Sequence, residues 1–159
     1  MTDINSGVNV CLVRIGRPAP DAVWTVSEMD GIGGEGIQSE LASADPADIN
    51  ASSMLALLEK GVPDNGPNFS NITRCRPLED GIFEFKDGSV RVLWFYDEGD
   101  PKIRRHIICT HLFRKQGRKT PRREIKKAKK RRSLYLKAKA ERRLRLPQSG
   151  VLQFRREKK

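Results

Sequence analysis

The chain has 159 residues, 37% hydrophobic and 32% charged, with a formal net charge of +11; that is one domain's worth of sequence with a modest core. No apolar run approaches the roughly 20 residues that span a bilayer. Met1 to Gly7 lacks the basic-then-apolar layout of a secretion signal, and Cys11, Cys75 and Cys109 have neither an even count nor a C-x-x-C spacing, which argues against a membrane anchor, a disulfide scaffold and a cysteine zinc site and makes a cytoplasmic protein the expectation.

The charge is divided. Residues 1–73 hold 3 basic and 10 acidic side chains, net −7, whereas residues 74–159 hold 28 basic and 10 acidic ones, net +18. A polycationic half points to nucleic acid, an anionic membrane surface or an acidic protein as partner, against the alternative of a merely solvated surface.

In chain order, residues 1–20 read as an irregular leader in which Val8 to Ile15 is a short strand candidate, ended by Arg17, Pro18 and Pro20. Ala22 to Ser27 is β-branched and alternating and predicts a strand, after which Asp30-Gly31 and Gly33-Gly34 turn the chain. Residues 35–44 predict a short helix stopped before Pro46. Asp48 to Lys60, with Ile49, Met54, Leu55, Leu57 and Leu58, predicts a longer one ended by Gly61 and Pro63. Residues 61–77 hold three prolines, two glycines and three asparagines and read as a loop.

Two β-rich runs, 82–86 and 89–96, flank Asp87-Gly88, a pair that predicts a two-residue hairpin turn with positive φ at both positions. The implied register sets Lys86 opposite Ser89, Phe85 opposite Val90, Glu84 opposite Arg91 and Phe83 opposite Val92. One face, with Phe83, Phe85, Val90, Val92, Trp94 and Tyr96, is then buried. The other carries Glu84, Lys86 and Arg91 at a charged end. Asp97 to Pro101 turns the chain, Ile103 to Phe113 completes a meander, and Gln116 to Lys119 is a polar link. Thr120-Pro121 starts a helix, with Thr as cap, Pro at the first position and Glu124 at the positive end. Its stripe is Ile125, Ala128, Arg132, Tyr135 and Leu136, and the pattern runs to Leu146, where Pro147 stops it. Such a helix is about 39 Å long, so its far half is expected to project, with residues 147–159 frayed.

The order Leu78-x-x-Gly81-Ile82-Phe83-Glu84-Phe85-Lys86, Val90-Arg91-Val92-Leu93-Trp94-Phe95, Ile107-Ile108-Cys109-Thr110-His111-Leu112-Phe113-Arg114-Lys115 and Lys119-Thr120-Pro121-x-x-Glu124-Ile125 with Ala128 resembles the RelE/ParE toxin superfamily, most closely its phage-derived HigB-like branch. Lys86 stands where the family usually has Arg, and Arg114-Lys115 where it usually has Lys-Lys. The resemblance implies an α+β fold: a small twisted antiparallel sheet packed against N-terminal helices, with a long basic C-terminal helix. It places the toxin domain at residues 21–136, between the leader 1–20 and a basic extension at 137–159. It also implies a toxin of a type II toxin–antitoxin system, a metal-independent endoribonuclease cleaving ribosome-bound mRNA, held in check by a cognate acidic or helix-turn-helix antitoxin. A non-catalytic RNA or ribosome binder and a ParE-like toxin acting on DNA gyrase remain open, because fold does not settle target.

Cleavage by the RNA's own 2′-hydroxyl requires alignment, neutralised phosphate charge and proton movement. Lys86, Arg91, Arg114 and Lys115 are expected to line the phosphate site, Arg as a planar fork and Lys as a point charge. Glu84 is either a general base or one half of a cross-strand ion pair. His111 is either a general acid or base or a packed, hydrogen-bonded histidine beside Cys109 and Phe113, and His106 either faces solvent or pairs with a turn carboxylate. Arg118, Lys119, Arg122, Arg123 and Lys126 are expected to track RNA backbone without reading bases. Trp24, Trp94, Phe95 and Tyr96 either stack on bases or fill the core. The acidic half shows no metal-ligand pattern, and no cofactor is expected.

Overall fold

The computed structural model describes residues 9–15, 24–30, 36–68, 74–97 and 105–145. Expectations placed on other stretches, including the glycine turns after residue 30 and the frayed end, lie outside the described residues. The strands are β1 (Val10–Arg14), β2 (Trp24–Asp30), β3 (Cys75–Glu79), β4 (Ile82–Asp87), β5 (Val90–Tyr96), β6 (Arg105–Arg114) and β7 (Leu144–Arg145). The helices are α1 (Ile37–Ala42), α2 (Ile49–Ala56), α3 (Val62–Asn65) and α4 (Arg122–Ala140). All seven strands form one sheet in the order β3-β4-β5-β6-β2-β1-β7.

The fold is α+β as expected, but the sheet is larger than a meander and is mixed. β2 lies parallel to β6 and β7 parallel to β1, while the other pairs are antiparallel. The β1–β2 hairpin docks as a unit beside β6, and β1 falls within the strand candidate Val8 to Ile15, with Val10, Leu12 and Ile15 buried. Both faces are covered. Alternation along β4 and β5 sends Phe85, Val90, Val92 and Trp94 to α1–α3, and Leu93, Phe95 and Ile82 to α4. On the first face the Phe83, Trp94 and Phe85 rings stack at centroid distances of 4.7 and 4.8 Å.

Three local expectations are corrected. First, the helical path does not stop at Gly61. A π-helical turn, Leu57–Gly61, leads into α3. Pro63 has no N–H for the carbonyl four residues back, and the widened turn accommodates that. The path ends at Gly66, φ +79, where a Cβ would come within 2.4 Å of the Trp24 indole. The rest of the expected loop contains β3, an edge strand where Pro77 is tolerated.

Second, the two-residue β4–β5 turn is Gly88-Ser89, with Asp87 opposite Val90 and only Gly88 at positive φ, +58. Phe85 therefore faces Val92 and Glu84 faces Leu93. Each partner has moved by two residues, so the faces keep the expected residues. The Asp-Gly turn with both φ positive occurs one hairpin earlier, at Asp80 (φ 50) and Gly81 (φ 79).

Third, α4 ends at Ala140 and lies along the sheet with Ala138 fully buried, so its far half does not project. The chain turns at Arg142, φ +60, and returns as β7 beside β1. Among the described residues no helix is long and apolar enough to cross a membrane.

Candidate functional site

The charged end of the α4-facing side is built around one carboxylate. Glu84 is completely buried. Its Oε1 accepts a hydrogen bond from Arg76 Nε at 2.8 Å, across the β3–β4 ladder. Its Oε2 accepts one from Thr120 Oγ1 at 2.6 Å and lies 3.6 Å from Arg91 Nε. Arg91 folds back on its own turn, Nη1 donating to the Gly88 and Val90 carbonyls. Lys86 is Arg91's direct cross-strand partner. Lys115 follows β6, its amide donating to the Ser89 carbonyl at 2.8 Å and its ammonium to the Arg118 carbonyl.

Four cations thus share one negative charge. The consequence is visible in the lysines. Partial burial, then the charges of Arg76 and Arg91, lowers the pKa of Lys86. Burial, then Arg91, lowers that of Lys115. Burial likewise lowers Arg91. Cations held this way have positive potential to spare, and an anion placed among them relieves it.

The expected phosphate residues divide. Lys86, Arg91 and Lys115 come together. Arg114 does not join them: it pairs with Val90, points to the α2 face, and its Nη2 donates to Asp48 Oδ2 at 2.6 Å. Asp48 is also the side-chain cap of α2, accepting from the Ala51 amide at 3.0 Å. Arg114 therefore ties a helix start to the end of β6.

His111 is buried behind the site. A bulge at Thr110 breaks the β5–β6 register, so Leu93 faces His111 while Trp94 faces Cys109. The extra residue sends Cys109 into the α1–α3 core and His111 toward α4, separating two side chains expected on one face; Phe113 stacks on His111 at 5.6 Å. His111 Nε2 is 2.9 Å from Glu124 Oε1 and Nδ1 is 3.0 Å from Thr110 Oγ1. Burial, opposed by the Glu124 hydrogen bond and reinforced by Arg131 and Lys127, pushes its pKa down to about 4. The neutral tautomer with the proton on Nε2 donates to Glu124, and the Thr110 hydroxyl beside Nδ1 donates to the Leu93 carbonyl at 3.2 Å. Arg131 Nη1 donates to the bulge carbonyl, Thr110 O, at 2.9 Å, so α4 is fastened to the bulge at two points.

Of the expected backbone-tracking residues, Arg118, Lys119, Arg123 and Lys126 are exposed on the link and the first turns of α4. Arg122 is exposed but engages Glu79 with both amino groups. His106 Nε2 lies 2.9 Å from Ser27 Oγ and Nδ1 3.9 Å from Asp97 Oδ2. Trp94 and Phe95 are fully buried and closed to bases; Trp24 and Tyr96 pack against the first core. Among the described residues no His, Cys, Asp and Glu group could hold a metal. A cavity of about 290 Å³ lies on the other face, lined by Leu57, Val62, Cys75, Phe85 and Arg74 among others. Its single charge is already paired with Asp87 at 3.0 Å, so it offers no convergent chemistry.

Sequence reasoning missed Arg76, because residues 61–77 read as a loop, and the link to Glu84 by Thr120, because Thr before Pro reads as a helix cap. The alternation Arg76-x-Leu78 before Asp80-Gly81 was the available signal for a strand.

Residues 46–133, which contain every member of the cationic cluster, match the family described as Phage derived protein Gp49-like (DUF891). A comparison with curated proteins finds no match.

Proposed function

The chain belongs to the phage-derived Gp49-like family, a RelE-like toxin family, and from that premise we propose that it is a HigB-like toxin of a toxin–antitoxin pair that cleaves ribosome-bound mRNA. One observation carries the reading: Arg76 and Arg91 engage a single buried carboxylate, and Lys86 and Lys115 stand within electrostatic reach of the same group, which leaves an excess of positive charge. A phosphodiester there has both non-bridging oxygens opposite cations. As the 2′-oxygen attacks phosphorus and the 5′-oxygen leaves, charge builds on those oxygens, where fixed cations stabilise it most. Lys86 and Lys115, with lowered pKa values, are the groups that move the protons: one, in its neutral form, takes the 2′-hydroxyl proton as the P–O bond forms, and the other, protonated, gives one to the departing 5′-oxygen, leaving a 2′,3′-cyclic phosphate and a 5′-hydroxyl. Glu84 has both oxygens engaged and acts by holding Arg76 and Arg91 in place. Arg118, Lys119, Arg123 and Lys126 extend the track for the RNA backbone, and an acidic antitoxin segment laid along α4 would compete for it.

The test is brief induction followed by mapping of transcript 5′ ends. The expected result is growth arrest with new ends inside coding regions, both abolished by Lys86→Ala with Lys115→Ala. Arrest without new ends refutes the nuclease. A second reading, a non-catalytic RNA binder, is favoured by the burial of His111 and Glu84, the two groups first expected to move protons. It predicts salt-sensitive RNA binding with intact RNA.

A further inference from the structure

We propose that Thr120 is a positioning residue, whose hydroxyl latches the link 115–121 to Glu84 and so sets Lys115 and its neighbours Arg118 and Lys119 beside Lys86 and Arg91. Its functional consequence rests on the anion-site reading above; the latch itself does not.

Thr120 precedes a helix and has a capping residue's chemistry, yet α4 starts without any side-chain cap: the N-cap is Pro121. The hydroxyl is turned instead to Glu84 Oε2, 36 residues earlier, at 2.6 Å, and both groups are buried. A short O–H···carboxylate bond away from water is the stronger kind of hydrogen bond. The link has its other end fixed by the Lys115 amide on the Ser89 carbonyl. Between these anchors Gly117 makes an open bend at φ +112, with nothing within 4 Å of where a Cβ would stand. The backbone between residues 116 and 119 therefore takes its position from its two ends and from the Lys115 ammonium on the Arg118 carbonyl. One end is a backbone hydrogen bond; the other is Thr120. The carboxylate it uses also holds Arg76 and faces Arg91, so link and strand cations share a single reference point.

The experiment compares the full chain with Thr120→Val, which keeps the volume and removes the donor, and Thr120→Ser, which keeps the donor. Should the valine variant not fold, Thr120→Ala replaces it. Amide hydrogen exchange at Lys115, Glu124 and Ile125, the hydrogen-bonded amides that flank the link, reads the latch, and affinity for a short single-stranded oligoribonucleotide, titrated with salt, reads its consequence. The expected result is at least tenfold faster exchange and about tenfold weaker binding with a shallower salt dependence in Thr120→Val, with Thr120→Ser within twofold of the parent in both. Unchanged exchange in the valine variant overturns the latch. Faster exchange with unchanged affinity, in a protein whose binding Lys86→Ala does weaken, overturns the positioning role. RNA binding insensitive to Lys86→Ala overturns the anion-site reading while the exchange result still decides the latch.

Discussion

Replacing Glu84 with Gln is the most informative single change for stability. The amide has the same shape, so no cavity forms, and the effect is electrostatic. Arg76 is 35% exposed and regains water, so its lost partner costs at most about 1 kcal/mol. Arg91 is 9% exposed and cannot; stranding a buried charge costs about 3–5 kcal/mol. Two Arg91 contacts soften this, since its hydrogen bonds to the Gly88 and Val90 carbonyls survive the change. Glutamine keeps one acceptor oxygen, enough for Thr120 or Arg76 but not both. Against these losses, a buried amide costs less to desolvate than a buried carboxylate. The net expectation is a loss of about 3 kcal/mol, a large share of the 5–15 typical of a domain. With an m-value near 2 kcal/mol/M the urea midpoint falls by about 1.5 M at unchanged slope. A midpoint within about 0.3 M of the parent would show that Glu84 is not the keystone of the charged end.

His111 makes stability depend on pH. Its folded pKa, about 4, lies below the ordinary 6.5, so the unfolded chain binds the extra proton between those values. Stability is full above pH 6.5 and falls, by up to about 3 kcal/mol, as pH drops toward 4; thermal melts against pH should show this slope, and His111→Gln should flatten it. Arg114→Ala should leave RNA affinity within about twofold, because the side chain faces α2, and should barely move the urea midpoint, because the Asp48 pair is open to solvent. Gly88→Ala should cost about 1–2 kcal/mol by chemical denaturation, since φ is +58 and the new methyl would meet the Asn50 amide.

The sequence was readable where the physics is local. Alternation along 82–96 assigned the two faces of the central hairpin correctly even though the turn was misplaced, because moving a partner by two residues returns each side chain to the same side. The turn itself was not readable. Asp80-Gly81 and Asp87-Gly88 are the same dipeptide, and their surroundings differ in groups distant in sequence, Asn50 beside Gly88 and Arg132 beside Gly81. The bulge at Thr110 left no local signal either. It is held by the Arg131 guanidinium, 21 residues away, and it alone decides that His111 and Cys109 part company. Arg114 illustrates the same limit: its partner, Asp48, lies 66 residues earlier. The parallel pairing of β2 with β6 joins two hairpins across the whole helical segment, which no periodicity encodes.

The most direct test is the salt dependence of binding to a short single-stranded RNA by the parent chain and by Lys86→Ala/Lys115→Ala. If these two lysines meet phosphates at one site, the double variant binds more weakly and its log–log slope flattens by about 1.4, since each lost contact on a single strand is worth about 0.7. A slope and affinity equal to the parent's would mean that RNA, if it binds at all, is held elsewhere on the polycationic half.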